Sequence, residues 1–210
     1  MTPYYAKDGI EVYHGDLGEV LNAVDLRPCR IVLSDPPLLR FGQCQELALH
    51  LRDWRPEDDA DWLQSALLWY RAWLPMIWQM VEYSRGRAWF LTHIAYLPAI
   101  ARAAYLVQWP LRGLWLHESS DYTLTLFGRG VPDGRVAAVK TALATSACPT
   151  RQQLDFLMAL IDLSDDGVVF DPFMGAGSTL VAAKKLGRHA IGIDCDQRRC
   201  EEAVAALEAA

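Results

Sequence analysis

The sequence has no pair of cysteines at C-x-x-C spacing. Its five cysteines, Cys29, Cys44, Cys148, Cys195 and Cys200, are odd in number and scattered. That pattern points to reduced thiols and away from a disulfide framework or a thiolate zinc site. No H-x-x-x-H pair occurs among His14, His50, His93, His117 and His189, so no metal centre is expected. No apolar run reaches the roughly 20 residues that span a bilayer, because Arg, Asp, Glu or Pro interrupts each one. The opening, MTPYYAKDGIEVYHGD, lacks the basic-then-apolar pattern of a leader. These absences predict an intracellular, cytoplasmic protein. Two nucleotide signatures are also missing: the phosphate loop G-x-x-x-x-G-K-[ST] and the full G-x-G-x-x-G.

What remains is a chain of 210 residues, 52% apolar and 22% charged, enough for one globular domain over residues 1–210. The net charge is −6, which taken whole argues mildly against a polyanionic partner. The charge is unevenly spread. Between Ser84 and Arg151 eight basic residues face three acidic ones, a local +5, so the remainder carries −11. Arg85, Arg87 and Arg112 belong to this segment and are the candidate nucleic-acid contacts. A solvated arginine-bearing surface fits the same charges equally well.

Short apolar runs alternate with helical spacings. EVYHGD (Glu11 to Asp16) reads as a strand entering a turn, and LGEVLNAV (Leu17 to Val24) as one helical face. RIVLSD (Arg30 to Asp35) reads as a strand buried on both sides. The stretch PEDDADWLQSALLWYRAWLPMIWQMVEY is helical, with Pro75 expected to kink or split it. RAWFLT, LRGLWLHE and DYTLTLFGR read as strands, the last suited to antiparallel pairing, and LPAIARAAYL as a helix. TRQQLDFLMALIDLS is a helix that Thr150 can cap. The carboxyl-terminal part runs strand, Gly-rich turn, helix, strand, acid, helix. This order predicts an α/β fold, a doubly wound, mostly parallel sheet with one antiparallel strand.

Two acids mark the chemistry. In VVFDPFMGAGST (Val168 to Thr179) a strand ends at Asp171, Gly175 and Gly177 form a tight turn, and Ser178 and Thr179 open a helix. The glycines allow the turn and let a ligand approach the backbone. Asp194 ends the next strand, where a carboxylate can accept hydrogen bonds from two ribose hydroxyls. Acids at both strand ends suit a cationic or hydroxyl-rich ligand better than a pyrophosphate. The other segment is LSDPPL (Leu33 to Leu38), a buried strand stopped by Asp35, Pro36 and Pro37. Two prolines stiffen the turn and leave its carbonyls unpaired.

DPFMGAGSTLVAAKKLGRHAIGIDCDQRRCEEA closely resembles the S-adenosyl-L-methionine-binding segment of amino-directed DNA methyltransferases, which methylate adenine N6 or cytosine N4. SDPPL resembles their catalytic D-P-P-Y segment, YYAKDGIEVYHGD their usual opening, and CPTRQQLDFLMALI the segment before the cofactor turn. With the catalytic segment first and the cofactor segment last, the order resembles the circularly permuted β-type arrangement of a Rossmann-like methyltransferase fold. The resemblance covers residues 1–38 and 148–206.

It implies S-adenosyl-L-methionine as cofactor and DNA as partner, with a monomer or homodimer. Phe173, Gly175 and Gly177 would wrap the methionine part, with Pro172, Ser178 and Thr179 completing the turn and Asp171 near the ammonium. Asp194 would take the ribose hydroxyls and Asp16 would lie near the adenine. Asp35 and Pro36 would hold the target amine, with Pro37 and Leu38 completing the catalytic segment. An exocyclic amine is a poor nucleophile because its lone pair is delocalised into the ring. A carboxylate and a carbonyl accepting its two N–H groups push it toward sp³ and aim it at the methyl. Leu38 departs from the Tyr, Phe or Trp the family carries there, whose ring stacks on the extruded base. Another stacking aromatic, a different acceptor, or lost turnover would each account for leucine. Asp35 leans the reading toward adenine N6 over cytosine N4. The alternatives are a methyltransferase for RNA, a modified base or a protein amide, and a binding remnant without turnover. Residues 39–84 and 130–147 are the segments left for reduced target-recognition insertions.

Overall fold

The computed structural model describes residues 1–26, 28–36, 62–116, 122–130, 137, 139, 154–164 and 166–210. Eight strands form one sheet: β1 (Tyr5–Lys7), β2 (Ile10–His14), β3 (Cys29–Ser34), β4 (Arg87–His93), β5 (Leu111–Leu116), β6 (Tyr122–Gly128), β7 (Val168–Asp171) and β8 (Ala190–Asp194). Their order across the sheet is β1-β2-β8-β7-β3-β4-β6-β5. The central five, β2, β8, β7, β3 and β4, are parallel neighbours. β6 runs antiparallel between β4 and β5, as DYTLTLFGR suggested. A further short antiparallel strand, β1, pairs with β2 at the opposite edge.

The helices are α1 (Leu17–Ala23), α2 (Trp62–Ser84), α3 (Leu97–Leu106), α4 (Leu154–Asp162), α5 (Ser178–Lys185) and α6 (Gln197–Ala209). β3 carries five buried residues out of six, which is what a strand covered on both faces demands. On one side Ile31 and Leu33 pack with Phe156 and Leu160 of α4, Leu180 of α5 and Ala203 of α6. On the other, Val32 packs with α1, α2 and α3 through Val20, Tyr70, Leu74 and Ile100. In α2 the buried residues Ala66, Tyr70, Trp73, Leu74, Ile77 and Val81 recur at helical spacing. The helix passes through Pro75 without splitting. Residues 62–84 are therefore a covering layer of the sheet, and of that expected insertion only residues 39–61 are left, outside the described residues. Most of 130–147 and Thr150 lie outside them too.

This winding sets the site. From β7 the chain builds outward through α5 to β8. From β3, directly beside β7, it builds the other way through α2 to β4. Neighbouring parallel strands whose crossovers diverge leave a crevice at their carboxyl ends. β3 and β7 form that switch point, and Asp35 and Asp171 stand at their ends.

Candidate active site at the carboxyl ends of the strands

Asp171 is 3% exposed. Its Oδ1 accepts a hydrogen bond from Ser34 Oγ at 2.6 Å and from the Phe173 backbone N–H at 3.1 Å, and the Thr179 hydroxyl is a further partner. Burial pushes its carboxyl up to about 6, against the pull of these donors. Ser34 is the last residue of β3, so one hydrogen bond ties the SDPP segment to the Gly-rich turn across 137 residues of sequence. Asp171 and Thr179, both buried, act as internal supports of the turn. Thr179 reaches Asp171, not the open side of the crevice.

The two turn glycines have different jobs. Gly177 has φ +78°, and a Cβ there would lie 2.7 Å from Ala203 Cβ of α6, so it allows α5 and α6 to pack closely. Gly175 has φ +52° with nothing within 4 Å of a would-be Cβ, leaving room for a ligand against the backbone. Asp194, 8% exposed, is oriented through both oxygens: Gly175 N–H donates to Oδ2 at 3.0 Å and Asp196 N–H to Oδ1 at 2.9 Å. Asp16 is exposed and caps α1, accepting from Gly18 N–H at 2.8 Å. Its neighbour Gly15 is tied to β8 through the Asp194 carbonyl at 3.1 Å. Pro172 is buried, while Phe173 and Ser178 are half-buried.

Asp35 keeps an accessible surface, yet the protein around it strips enough water from its carboxyl to push it up to about 7, with the charge of Asp171 adding to the shift. Pro36 beside it is buried; Pro37 and Leu38 lie outside the described residues. The structure thus brings together Asp35, Pro36, Asp171, the turn and Asp194 at one edge of the sheet.

It does not bring the three arginines there. Arg87 opens β4 and pairs in register with Ile31 and Gly128, at the amino end of the parallel strands. Six residues of extended chain separate it from His93, the carboxyl end of β4, on the order of 20 Å at about 3.3 Å per residue. Arg87 is also 1% exposed, its guanidinium donating to the carbonyls of Gly130 at 3.0 Å and Leu163 at 3.4 Å. A guanidinium so enclosed is a core strut, and its assignment as a phosphate contact is corrected. Arg85 and Arg112 are exposed, but they lie at the same far edge, Arg112 donating through Nε to the Gly128 carbonyl at 3.2 Å.

Other side chains near the site were passed over in the sequence. Ser34 looked like the end of a strand. Trp69 and Trp73 of α2 read as part of an apolar face at helical spacing, yet both pack on Phe173. His93 pairs in register with Tyr122 above the end of β3, their rings 5.6 Å apart. Among the described residues no cluster of His, Cys, Asp or Glu suits a metal ion.

The fold so described is that of the Rossmann-like DNA methyltransferases. It is similar to the solved structure of M1.HpyAVI in complex with SAM, with a TM-score of 0.62 and 17% identity over 94% of this chain and 99% of that one. It is likewise similar to the PvuII DNA methyltransferase, described as cytosine-N4-specific, with a TM-score of 0.60 and 15% identity over 98% of this chain and 95% of that one. Residues 152–205 match the N6_N4_Mtase family, described as DNA methylase. A type II methyltransferase of Haemophilus influenzae, M.HindIII, is 46% identical over 46 residues, 21% of this chain. That match spans 15% of the relative's length.

Proposed function

We propose that the chain transfers the methyl group of S-adenosyl-L-methionine to the exocyclic amine of a DNA base, adenine N6 ahead of cytosine N4. The observation that carries this reading is the Ser34–Asp171 hydrogen bond. It ties the strand end that carries Asp35, a residue with accessible surface, to the Gly-rich turn one strand away, beside the oriented carboxylate of Asp194. When bound, the cofactor supplies an electrophilic methyl on a sulfonium. Gly175 would provide the clearance for it, and the oriented carboxylate of Asp194 would accept the ribose hydroxyls. Ionised Asp35 accepts one N–H of the target amine, and the Pro36 carbonyl accepts the other. With both N–H groups held, the nitrogen lone pair is freed from the ring and points along the transfer line. Once methylated, the nitrogen carries a surplus proton, and Asp35, whose carboxyl near neutrality is matched to that task, would take it up. A trial with tritiated-methyl cofactor and unmodified DNA, followed by nucleoside analysis, tests the reading. Label in N6-methyladenine is expected, label in N4-methylcytosine would reverse the base preference, and label in neither would overturn the function.

A further inference from the structure

The crevice has an aromatic wall that the motifs supply only in part: Phe173 belongs to the Gly-rich turn, and the ring beside it comes from α2. Trp69 lies on the early part of α2, which descends from the carboxyl edge. Its ring centroid is 5.6 Å from that of Phe173, with the planes 36° apart. Behind this pair stands Trp73, edge-on to Trp69 at 5.3 Å and to Phe173 at 5.0 Å. Trp73 and Tyr70 are 5% and 2% exposed, whereas Trp69 and Phe173 keep part of their surfaces accessible. Two buried rings therefore brace two half-buried ones. The buried stripe of α2 runs through Ala66, Tyr70, Trp73 and Leu74, so Trp69 stands beside it, on the flank that meets the Gly-rich turn.

A positive ligand at this place needs a partner that the acids do not provide. Asp171 is turned inward, with Oδ1 committed to Ser34 and the Phe173 N–H. Asp194 is aimed by Gly175 and Asp196, at the next strand. The face of an indole attracts an onium cation within about 6 Å of its centroid, and more strongly as water is excluded. We propose that Trp69, together with Phe173, seats the charged sulfur of the cofactor, making Trp69 a cofactor-binding residue that selects the sulfonium over the neutral thioether product. This rests on the S-adenosyl-L-methionine reading above and adds to it a basis for releasing S-adenosylhomocysteine after transfer: once the methyl leaves, the sulfur is neutral and the cation–π attraction is gone.

The test is calorimetric titration of S-adenosyl-L-methionine and of S-adenosylhomocysteine into the whole chain without DNA. Trp69→Leu is expected to weaken the methionine form about tenfold more than the homocysteine form, and Trp69→Phe, which keeps a ring, to lie between. Replacing tryptophan by trifluorotryptophan in the otherwise unaltered chain withdraws charge from the ring with little change of shape. It should produce the same selective loss, and it decides the matter if Trp69→Leu does not fold. Equal weakening of both ligands, or of neither, would reduce Trp69 to packing and overturn the inference while leaving the proposed function standing. An unaltered cofactor affinity with a raised KM for DNA would make the ring a platform for the base, which also overturns it. If the unaltered chain binds neither ligand, the proposed function falls first and this inference with it.

Discussion

At the scale of single residues, Asp35 carries two opposed demands. It must be ionised to accept the amine, and its surroundings disfavour the ionised form, holding its carboxyl at about 7 instead of the ordinary 3.8. Transfer should therefore climb as pH rises through about 7 and level off above it, and Asp35→Asn should remove both the activity and that rise. A rate–pH profile that is flat across neutrality would separate Asp35 from the chemistry. Asp35→Ala should spare cofactor binding, since its partner is the acceptor. The linkage to stability has the opposite sign. Between the unfolded and folded values the folded chain holds a proton that the unfolded chain has released, so stability falls as pH rises from about 4 to about 7. Asp171, pushed up to about 6, acts in the same direction. Denaturant midpoints measured across that range should shift downward with pH, and less steeply in Asp35→Asn.

At the scale of elements, the Gly-rich turn shows why similar residues need separate tests. Gly177→Ala sets a Cβ 2.7 Å from Ala203 in a left-handed conformation and should cost on the order of 1–3 kcal/mol, by wedging α5 from α6. Gly175→Ala meets no neighbour. It should cost stability only the left-handed penalty, about 1–2 kcal/mol, while its methyl intrudes where the cofactor approaches. Thermal unfolding and cofactor titration of the two variants should thus rank them in opposite order; the same ranking in both would undo the division of labour. Ser34→Ala should cost about 1–3 kcal/mol by leaving Asp171 short of a donor while buried, seen as a lowered denaturant midpoint. Much of this layout was legible in the sequence. Breakers around RIVL announced a doubly covered strand, and turn plus second acid announced β7-α5-β8. Ser34 was not legible, because a strand-end serine looks the same whether it bonds water or a carboxylate 137 residues away. Trp69 was hidden by periodicity, which tells that α2 has an apolar face but not that one indole on its flank meets a half-buried phenylalanine.

At the scale of the molecule, the correction of Arg87 follows from what charge counting omits. A segment's net charge says how many cations it holds, not which edge of a sheet they occupy. β4, α3, β5 and β6 run back and forth across the sheet, so a cation of this segment can fall at either of two edges about 20 Å apart. Arg85, Arg87 and Arg112 fall together at the amino edge, away from Asp35, and Arg87 is sealed into the core. No helix among the described residues is long and apolar enough to cross a membrane. Replacing Arg85 and Arg112 together by alanine should change stability by no more than about 0.5 kcal/mol, as surface substitutions do. It should also leave the slope of log affinity for DNA against log salt as it was, because that slope counts phosphates met by cations. Arg87→Ala should behave differently in kind. It strips two donors from the Gly130 and Leu163 carbonyls and empties a fully buried site beside the last turn of α4, at a cost on the order of 3–5 kcal/mol. Arg87→Met, which refills the volume without the donors, should recover part of that loss and none of it through DNA. Denaturant titration of the single variants, with salt-dependent DNA binding of the folded ones, decides between strut and contact. A flattened salt slope in Arg85→Ala/Arg112→Ala, with cofactor binding intact, would mean that DNA reaches the amino edge after all and that the bound polymer wraps the sheet instead of entering at the carboxyl ends alone.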